Sequence, residues 1–338
     1  MKALICSSPF HFDIIDVNEP RLEEDKALIK IKNIGICGTD LHAFEGTQPY
    51  FTYPRILGHE LAGEIIDIAG SRDFKKGELV TFIPYLNCGQ CQACVAGKTN
   101  CCETLKVYGV HIDGGMTEYL SVPSRLLVKI PGIRSEYVAL IEPLAIAAHA
   151  VRRASVQRDD TVLVAGAGPI GIGIMQFAKR HGATVIAADV NEARLNSCRE
   201  RFNVDGIIDV RKQQVEGDFI NLTQGLRPSV VFDATGNLQA LQNGFKYMSH
   251  GGKYVLVGLQ LKDISFSHPE FHKREGTLMS SRNATREDFE EVVAAIASGD
   301  INPGKMITHR VKFDSVKDEF KSWLNPDSGV IKVVVEID

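Results

Sequence analysis

Over the first third of the chain the apolar residues come in short runs broken by glycine and proline: KALIC, FDIID, KALIKIKNIGIC, LAGEIIDIA, ELVTFIP, TEYLSVP and LLVKIP. Runs of this length with such breaks predict strands, and their succession predicts a mostly antiparallel β domain. From Thr161 the pattern changes to apolar strand, glycine-rich turn, amphipathic helix and second strand in TVLVAGAGPIGIGIMQFAKRHGATVIAADV. That is a βαβ unit and implies a parallel sheet. The rhythm continues through SVVFDATG and GGKYVLVGL to TLMSSRN, after which REDFEEVVAAIASGD reads as a helix. The last apolar runs, HRVKF and GVIKVVVEID, resemble the opening strands, so the chain is expected to return to its first domain. The expected division is residues 1–148 with 285–338 in one domain and 149–284 in the other, an α/β protein.

Composition narrows the class without choosing a function. With 338 residues, 44% hydrophobic and 24% charged, the chain can bury two sizeable cores. A formal net charge of −4 leaves no basic footprint for nucleic acid or an anionic membrane. No apolar run reaches the roughly 18 residues of a membrane span. The opening MKALICSSPFHFDIIDVNEP turns polar too soon for a signal peptide, and a cytoplasmic protein is expected.

Cysteine placement changes the picture. Four of the eight cysteines, Cys88, Cys91, Cys94 and Cys102, lie in the stretch CGQCQACVAGKTNCC, where short Cys-x-x-Cys steps let one loop turn round a tetrahedral zinc. Cys101 competes with Cys102 for the fourth place, and two disulfides are the alternative for the whole loop. Tight spacing in an intracellular chain favours metal. Four thiolates leave no open position, so such a zinc is structural and the chemistry lies elsewhere. Cys6 and Cys198 stand alone and read as small buried apolar residues.

Gly166-x-Gly168-x-x-Gly171 follows an expected strand and opens an expected helix, the setting in which this motif signals a dinucleotide. Glycines allow the tight turn and the approach of the pyrophosphate, and the helix N-terminus stabilises its charge. Asp189 ends the next strand, where a carboxylate accepts hydrogen bonds from the adenosine ribose and repels a 2′-phosphate. NAD is therefore expected rather than NADP. Pro169 and Ile170 in the same turn, and Thr235 at the end of SVVFDATG, are counted with the cofactor site. Arg194 either flanks the adenine or is solvated.

A second set of metal-ligand types is scattered. Cys37 sits in GICGTDLHAFEG, His59 and Glu60 in GHELAGE, and Glu142 in IEPLAIAAHA. Each alone has an ordinary reading as core residue, satisfied histidine or helix-start carboxylate. Together with the four-cysteine loop, GGMTEY at 114–119 and GAGPIG, these segments occur in an order that resembles the zinc-dependent medium-chain alcohol dehydrogenases, especially the branch of sorbitol and threonine dehydrogenases. The resemblance covers essentially the whole chain. It implies a GroES-like β-rich catalytic domain, a doubly wound Rossmann domain, two zinc ions per chain, NAD, and a homo-oligomer, dimer or tetramer.

By that resemblance Cys37 and His59 hold a catalytic zinc, and Glu60 is a neighbouring carboxylate able to exchange onto it. Glu142 stands where ethanol-oxidising relatives carry a second cysteine, and it ligates either directly or through water. Thr39 contacts the substrate alcohol, His42 passes its proton toward solvent, and Asp40 orients His59 from behind. The implied reaction is oxidation of a secondary alcohol of a polyol or a sugar acid such as L-galactonate or L-idonate, at a site between the two domains. L-Threonine, oxidised at its 3-position, is the second candidate. A zinc-free reductase of the same fold is disfavoured by Cys37, His59 and Glu142, and a non-catalytic dinucleotide or metabolite sensor by Thr39 and His42.

Overall fold

The computed structural model describes residues 1–212 and 215–337, and the chain divides into two compact units, Met1–Pro143 with Thr285–Asp338 and Leu144–Ala284. The division falls inside the helix Ile141–Ala154.

The first unit is organised on the strand Lys26–Gly35. Apolar and polar residues alternate along most of it, and burial follows: Ala27, Ile29 and Ile31 are fully buried while Lys26, Leu28, Lys30 and Lys32 are half-exposed. This is how a strand behaves with one face on a core. It pairs antiparallel with Glu60–Ile68, Tyr119–Pro123 and Lys332–Glu336 in a seven-stranded sheet that also holds Leu79–Phe82, Leu127–Lys129 and Ile307–Lys312. A three-stranded sheet is formed by His11–Asp16, Lys2–Ser8 and Arg55–Ile56.

All seven apolar runs of the opening segment contain strands. The last two runs, for which the pattern predicts a return to this domain, join the same sheet, and unlike its other pairs Ile307–Lys312 and Lys332–Glu336 run parallel. Residues 313–331, with the short helix Val316–Glu319 and several 3₁₀ turns, supply the crossover that a parallel pair needs. The final residue of that run, Asp338, lies outside the described residues.

The second unit is a six-stranded parallel sheet in the order Gly206–Asp209, Thr184–Asp189, Thr161–Ala165, Val230–Asp233, Lys253–Leu256, Thr277–Ser280. Numbered along the unit this is 3-2-1-4-5-6, the doubly wound order of dinucleotide-binding sheets. Its inner strands are apolar without alternation because helices cover both faces, and Val162, Val164, Val231 and Phe232 are fully buried. Cys6 and Cys198 are buried, one in each unit. Among the described residues no helix is long and apolar enough to cross a membrane.

Candidate active site and metal centres

The thiols of Cys88, Cys91, Cys94 and Cys102 lie within 4.8 Å of one another, at the tip of a hairpin whose neck pairs Tyr85 with Val107 and Leu86 with Lys106. Cys101 is exposed and stands outside the cluster. The short helix Gln92–Val95 turns the chain between Cys91 and Cys94. Backbone N–H groups point at sulfur: Cys88 donates to Cys102 Sγ at 3.2 Å and Cys91 to Cys88 Sγ at 3.3 Å. Donors from Gln90 and Cys91 bring the Cys88 thiol down to about 6. Burial pushes Cys94 up to about 11, opposed by the hydrogen bond from Asn87 Nδ2 at 3.6 Å.

Amide donors aimed at sulfur are what thiolates accept, so the donor set fits a tetrahedral zinc. Cys91→Ser is expected to lose one zinc equivalent per chain and to lower the melting temperature, because the metal would tie together the two ends of a loop that is otherwise held by local backbone turns. In zinc-finger peptides such binding is worth about 10–16 kcal/mol, of which a large unit shows only the local share. Metal analysis and a thermal melt check it, and a full zinc complement with wild-type melting would overturn the assignment.

The second cluster is built from separate segments of the first unit. Cys37 caps the helix Gly38–Glu45, and His59 and Glu60 begin the strand Glu60–Ile68 and its lead-in. One donor atom each from Cys37, His59 and Glu60 lies within 4.8 Å of the others. Gly35 faces Glu60 across the ladder, and a Cβ there would stand 2.1 Å from Glu60 Oε2, so only glycine leaves room for this carboxylate. Asp40 is fully buried, accepting from the Cys37 N–H at 2.9 Å and the Gly58 N–H at 3.3 Å. It thereby ties the helix start that carries Cys37 to the turn that carries His59. Its Oδ1 lies 3.8 Å from His59 Nδ1, beyond hydrogen-bond length.

Glu142, in the first turn of the helix Ile141–Ala154, completes the surroundings. The buried Tyr85 hydroxyl donates to its Oε1, while Oε2 is buried without a partner, as is His59 Nδ1. Burial pushes the Glu142 carboxyl up to about 7, with Glu60 adding to the shift and His59 and Tyr85 opposing it. Burial alone would lower His59, but Asp40, Cys37 and Glu142 outweigh it and hold the imidazole well above its ordinary range. A buried pocket with this many anionic groups, and with orphaned polar atoms, demands a cation, and thiolate, imidazole and carboxylate are zinc ligands.

Lys332, from the C-terminal strand, supplies part of that charge. Its side chain is 1% exposed, and its Nζ donates to Glu60 Oε1 at 2.7 Å, Glu60 Oε2 at 2.8 Å and the Ile36 carbonyl at 3.0 Å. Thr39 and His42 lie on the helix Gly38–Glu45; Thr39 is half-buried, and His42 is exposed with Nδ1 3.2 Å from Thr47 Oγ1 and 3.6 Å from Glu45 Oε2.

In the second unit, Gly168 caps the helix Pro169–Arg180, with Pro169 and Ile170 as its first residues. Gly166 has φ +99°, open to glycine, and a Cβ at Gly171 would stand 1.8 Å from the Gly166 carbonyl oxygen. Around Gly168 a Cβ would meet nothing within 4 Å, which leaves a helix N-terminus open to an anion. Asp189 Oδ2 accepts from the Ala167 N–H at 2.6 Å and Oδ1 from the Asn191 N–H at 2.8 Å, so the carboxylate is fixed beside the glycine turn. Arg194 is half-buried on the next helix, its backbone N–H bonded to Asn191 Oδ1 at 3.0 Å. Thr235 is exposed and donates to the buried Asp233 at 3.0 Å. The residues present fit a dinucleotide.

Residues 23–132 match the family model of the alcohol dehydrogenase GroES-like domain, and residues 169–298 that of the zinc-binding dehydrogenases. An L-galactonate-5-dehydrogenase of Escherichia coli (strain K12) is 44% identical over 336 residues, covering 99% of this chain and 98% of the relative. An L-threonine 3-dehydrogenase of Escherichia fergusonii is 33% identical over 335 residues, covering 96% of this chain and 95% of the relative. The chain belongs to the zinc-dependent medium-chain alcohol dehydrogenases. A crystal structure of another alcohol dehydrogenase (rspB), from Escherichia coli CFT073 and complexed with NADH, superposes with a TM-score of 0.93 at 32% identity, covering 100% of this chain and 99% of that one.

Two residues of this dehydrogenase's site escape a reading of the sequence. Lys332 has a visible signal, a lone charge inside the apolar run GVIKVVVEID, which a buried strand tolerates only with a partner. Tyr85 has none, since a tyrosine in a β-rich segment is ordinary core.

Proposed function

We propose that this dehydrogenase oxidises a secondary alcohol of a sugar acid or polyol to the ketone with NAD, and that L-galactonate is the first substrate to test. The observation that carries this reading is the donor set of Cys37, His59 and Glu60, with Glu142, outside that set but close enough to act on His59, keeping a buried, unpartnered oxygen. The 44% identity to an L-galactonate-5-dehydrogenase supports the choice. When bound, zinc supplies Lewis acidity at the substrate oxygen and NAD accepts the hydride.

The chain's own residues do the rest. Cys37 and His59 hold the metal, Glu142 serves it directly or through water, Glu60, paired here with Lys332, is a neighbouring carboxylate able to exchange onto it, and Asp40 keeps the two ligand-bearing turns together. Thr39 would accept the hydroxyl proton of the alcohol as it gives up its own toward the nicotinamide ribose of bound NAD, and His42, exposed on the same helix, would pass the proton on from there to solvent. Per turnover one hydride leaves the carbinol carbon and one proton reaches solvent. Cytoplasmic location and a homo-oligomer belong to the same proposal, the latter checked by the mass of the protein in solution.

NADH formation across L-galactonate, L-idonate, sorbitol and L-threonine, with metal content measured alongside, tests the reading. Fastest turnover on a sugar acid or polyol is expected. Preference for threonine would move the protein to the second reading, which the 33% identity to a threonine dehydrogenase favours. Turnover on none of them with zinc and NAD bound would leave a binder.

Asp189 is expected to set the cofactor preference. Hydrogen bonds to a charged group are worth about 1.5–3 kcal/mol, so Asp189→Ser should weaken NAD by about ten- to a hundredfold and narrow its advantage over NADP. An unaltered protein that prefers NADP would contradict this.

A further inference from the structure

The two metal clusters of the first unit are joined by four consecutive residues. Cys88 belongs to the four-thiol cluster, Asn87 donates to Cys94 Sγ at 3.6 Å, and Tyr85 donates its hydroxyl to Glu142 Oε1. Tyr85 and Leu86 form one side of the hairpin neck, paired with Val107 and Lys106, and the Tyr108 N–H continues the ladder to the Pro84 carbonyl at 3.1 Å. An extended chain rises about 3.3 Å per residue, so the three steps from Cys88 to Tyr85 span about 10 Å. Tyr85 is buried at 4% exposure and packs edge-on against Phe289 with ring centroids 6.4 Å apart, which leaves its hydroxyl little freedom.

We propose that Tyr85 is a positioning residue for Glu142, and that through it the four-thiolate lobe sets the geometry of the Cys37–His59 metal site. By occupying Oε1, the phenol fixes the carboxylate and presents only Oε2, the oxygen that has no partner, for service at the metal directly or through water. The lobe holds the strand that carries the phenol. When the lobe loses its metal, the hairpin neck loosens, and Glu142 is freed to turn. This inference rests on the assignment of Cys37 and His59 as ligands of a second zinc.

The test uses the full chain with zinc in the four-thiolate cluster and cobalt at the Cys37–His59 site, read by its visible d–d absorption and by the rate of cobalt loss to a chelator. Tyr85→Phe should shift the absorption and speed cobalt loss about tenfold or more, in line with the loss of one hydrogen bond to a charged group. It should lower kcat with little change in KM for NAD, and the four-thiolate zinc should stay in place. Cys91→Ser should produce the same spectral shift at the other site, and the double variant no further shift.

An unchanged spectrum and release rate in Tyr85→Phe would overturn the positioning role. Additive effects in the double variant would overturn the coupling. If Tyr85→Phe does not fold, Cys91→Ser alone decides, since an unchanged cobalt spectrum there sinks the proposal. A wild-type protein that binds only one metal, lost in Cys91→Ser, would instead refute the second zinc itself.

Discussion

Lys332→Met is expected to destabilise the protein by about 3–5 kcal/mol, the penalty of leaving one partner of a buried ion pair uncompensated. The two side chains of the pair are 1% and 0% exposed, and one ammonium makes three donor bonds. Burial works against the charged Lys332, yet Glu60, Cys37 and Glu142 together outweigh it and raise the ammonium above its ordinary range. The charge therefore persists throughout the neutral range, and in the metal-free protein removing it leaves Glu60 a bare carboxylate close to Cys37. For a unit of this size the loss corresponds to a fall in melting temperature of about 6–20 °C. Adding Glu60→Gln to Lys332→Met should recover most of it, since no charge is then left unpaired. Chemical denaturation of the four proteins of this cycle is the measurement, and a single variant within about 1 kcal/mol of wild type would mean that the pair contributes little.

Thr39→Val should lower turnover by about 10²–10⁴-fold, the usual worth of a positioned proton-transfer group, while both zincs and NAD affinity stay near wild type. Valine keeps the shape of threonine and removes the hydroxyl, and Thr39 neither belongs to the cluster of Cys37, His59 and Glu60 nor lies in the second unit. A fall in kcat and kcat/KM together, with metal content intact, is what loss of an interaction made only during the reaction produces. Turnover near wild type with confirmed metal and cofactor would reduce Thr39 to a residue of the helix start and remove the relay through His42.

The fold was legible because both units announce themselves by local pattern. Short alternating strands between glycines and prolines specify a sheet with one wet face, and continuous apolar strands joined through a glycine turn to a helix specify a parallel sheet covered on both sides. The parallel pairing of Ile307–Lys312 with Lys332–Glu336 was not legible, since strand direction depends on how residues 313–331 cross over and not on the strands' own residues.

The same division runs through the candidate site. Cys88 to Cys102 and Gly166 to Gly171 act within single loops, so spacing alone brings their atoms together or frees the backbone for a ligand, and the sequence determines both. Resemblance to a family nominated Cys37, His59, Glu60 and Glu142, but what each carboxylate does depends on partners remote in the chain. Lys332 reaches Glu60 across 272 positions and occupies both its oxygens, whereas Tyr85 reaches Glu142 across 57 and occupies one. Those contacts exist only once the sheet has closed, because a buried charge takes whichever partner the packed chain places beside it, and no local pattern records that choice.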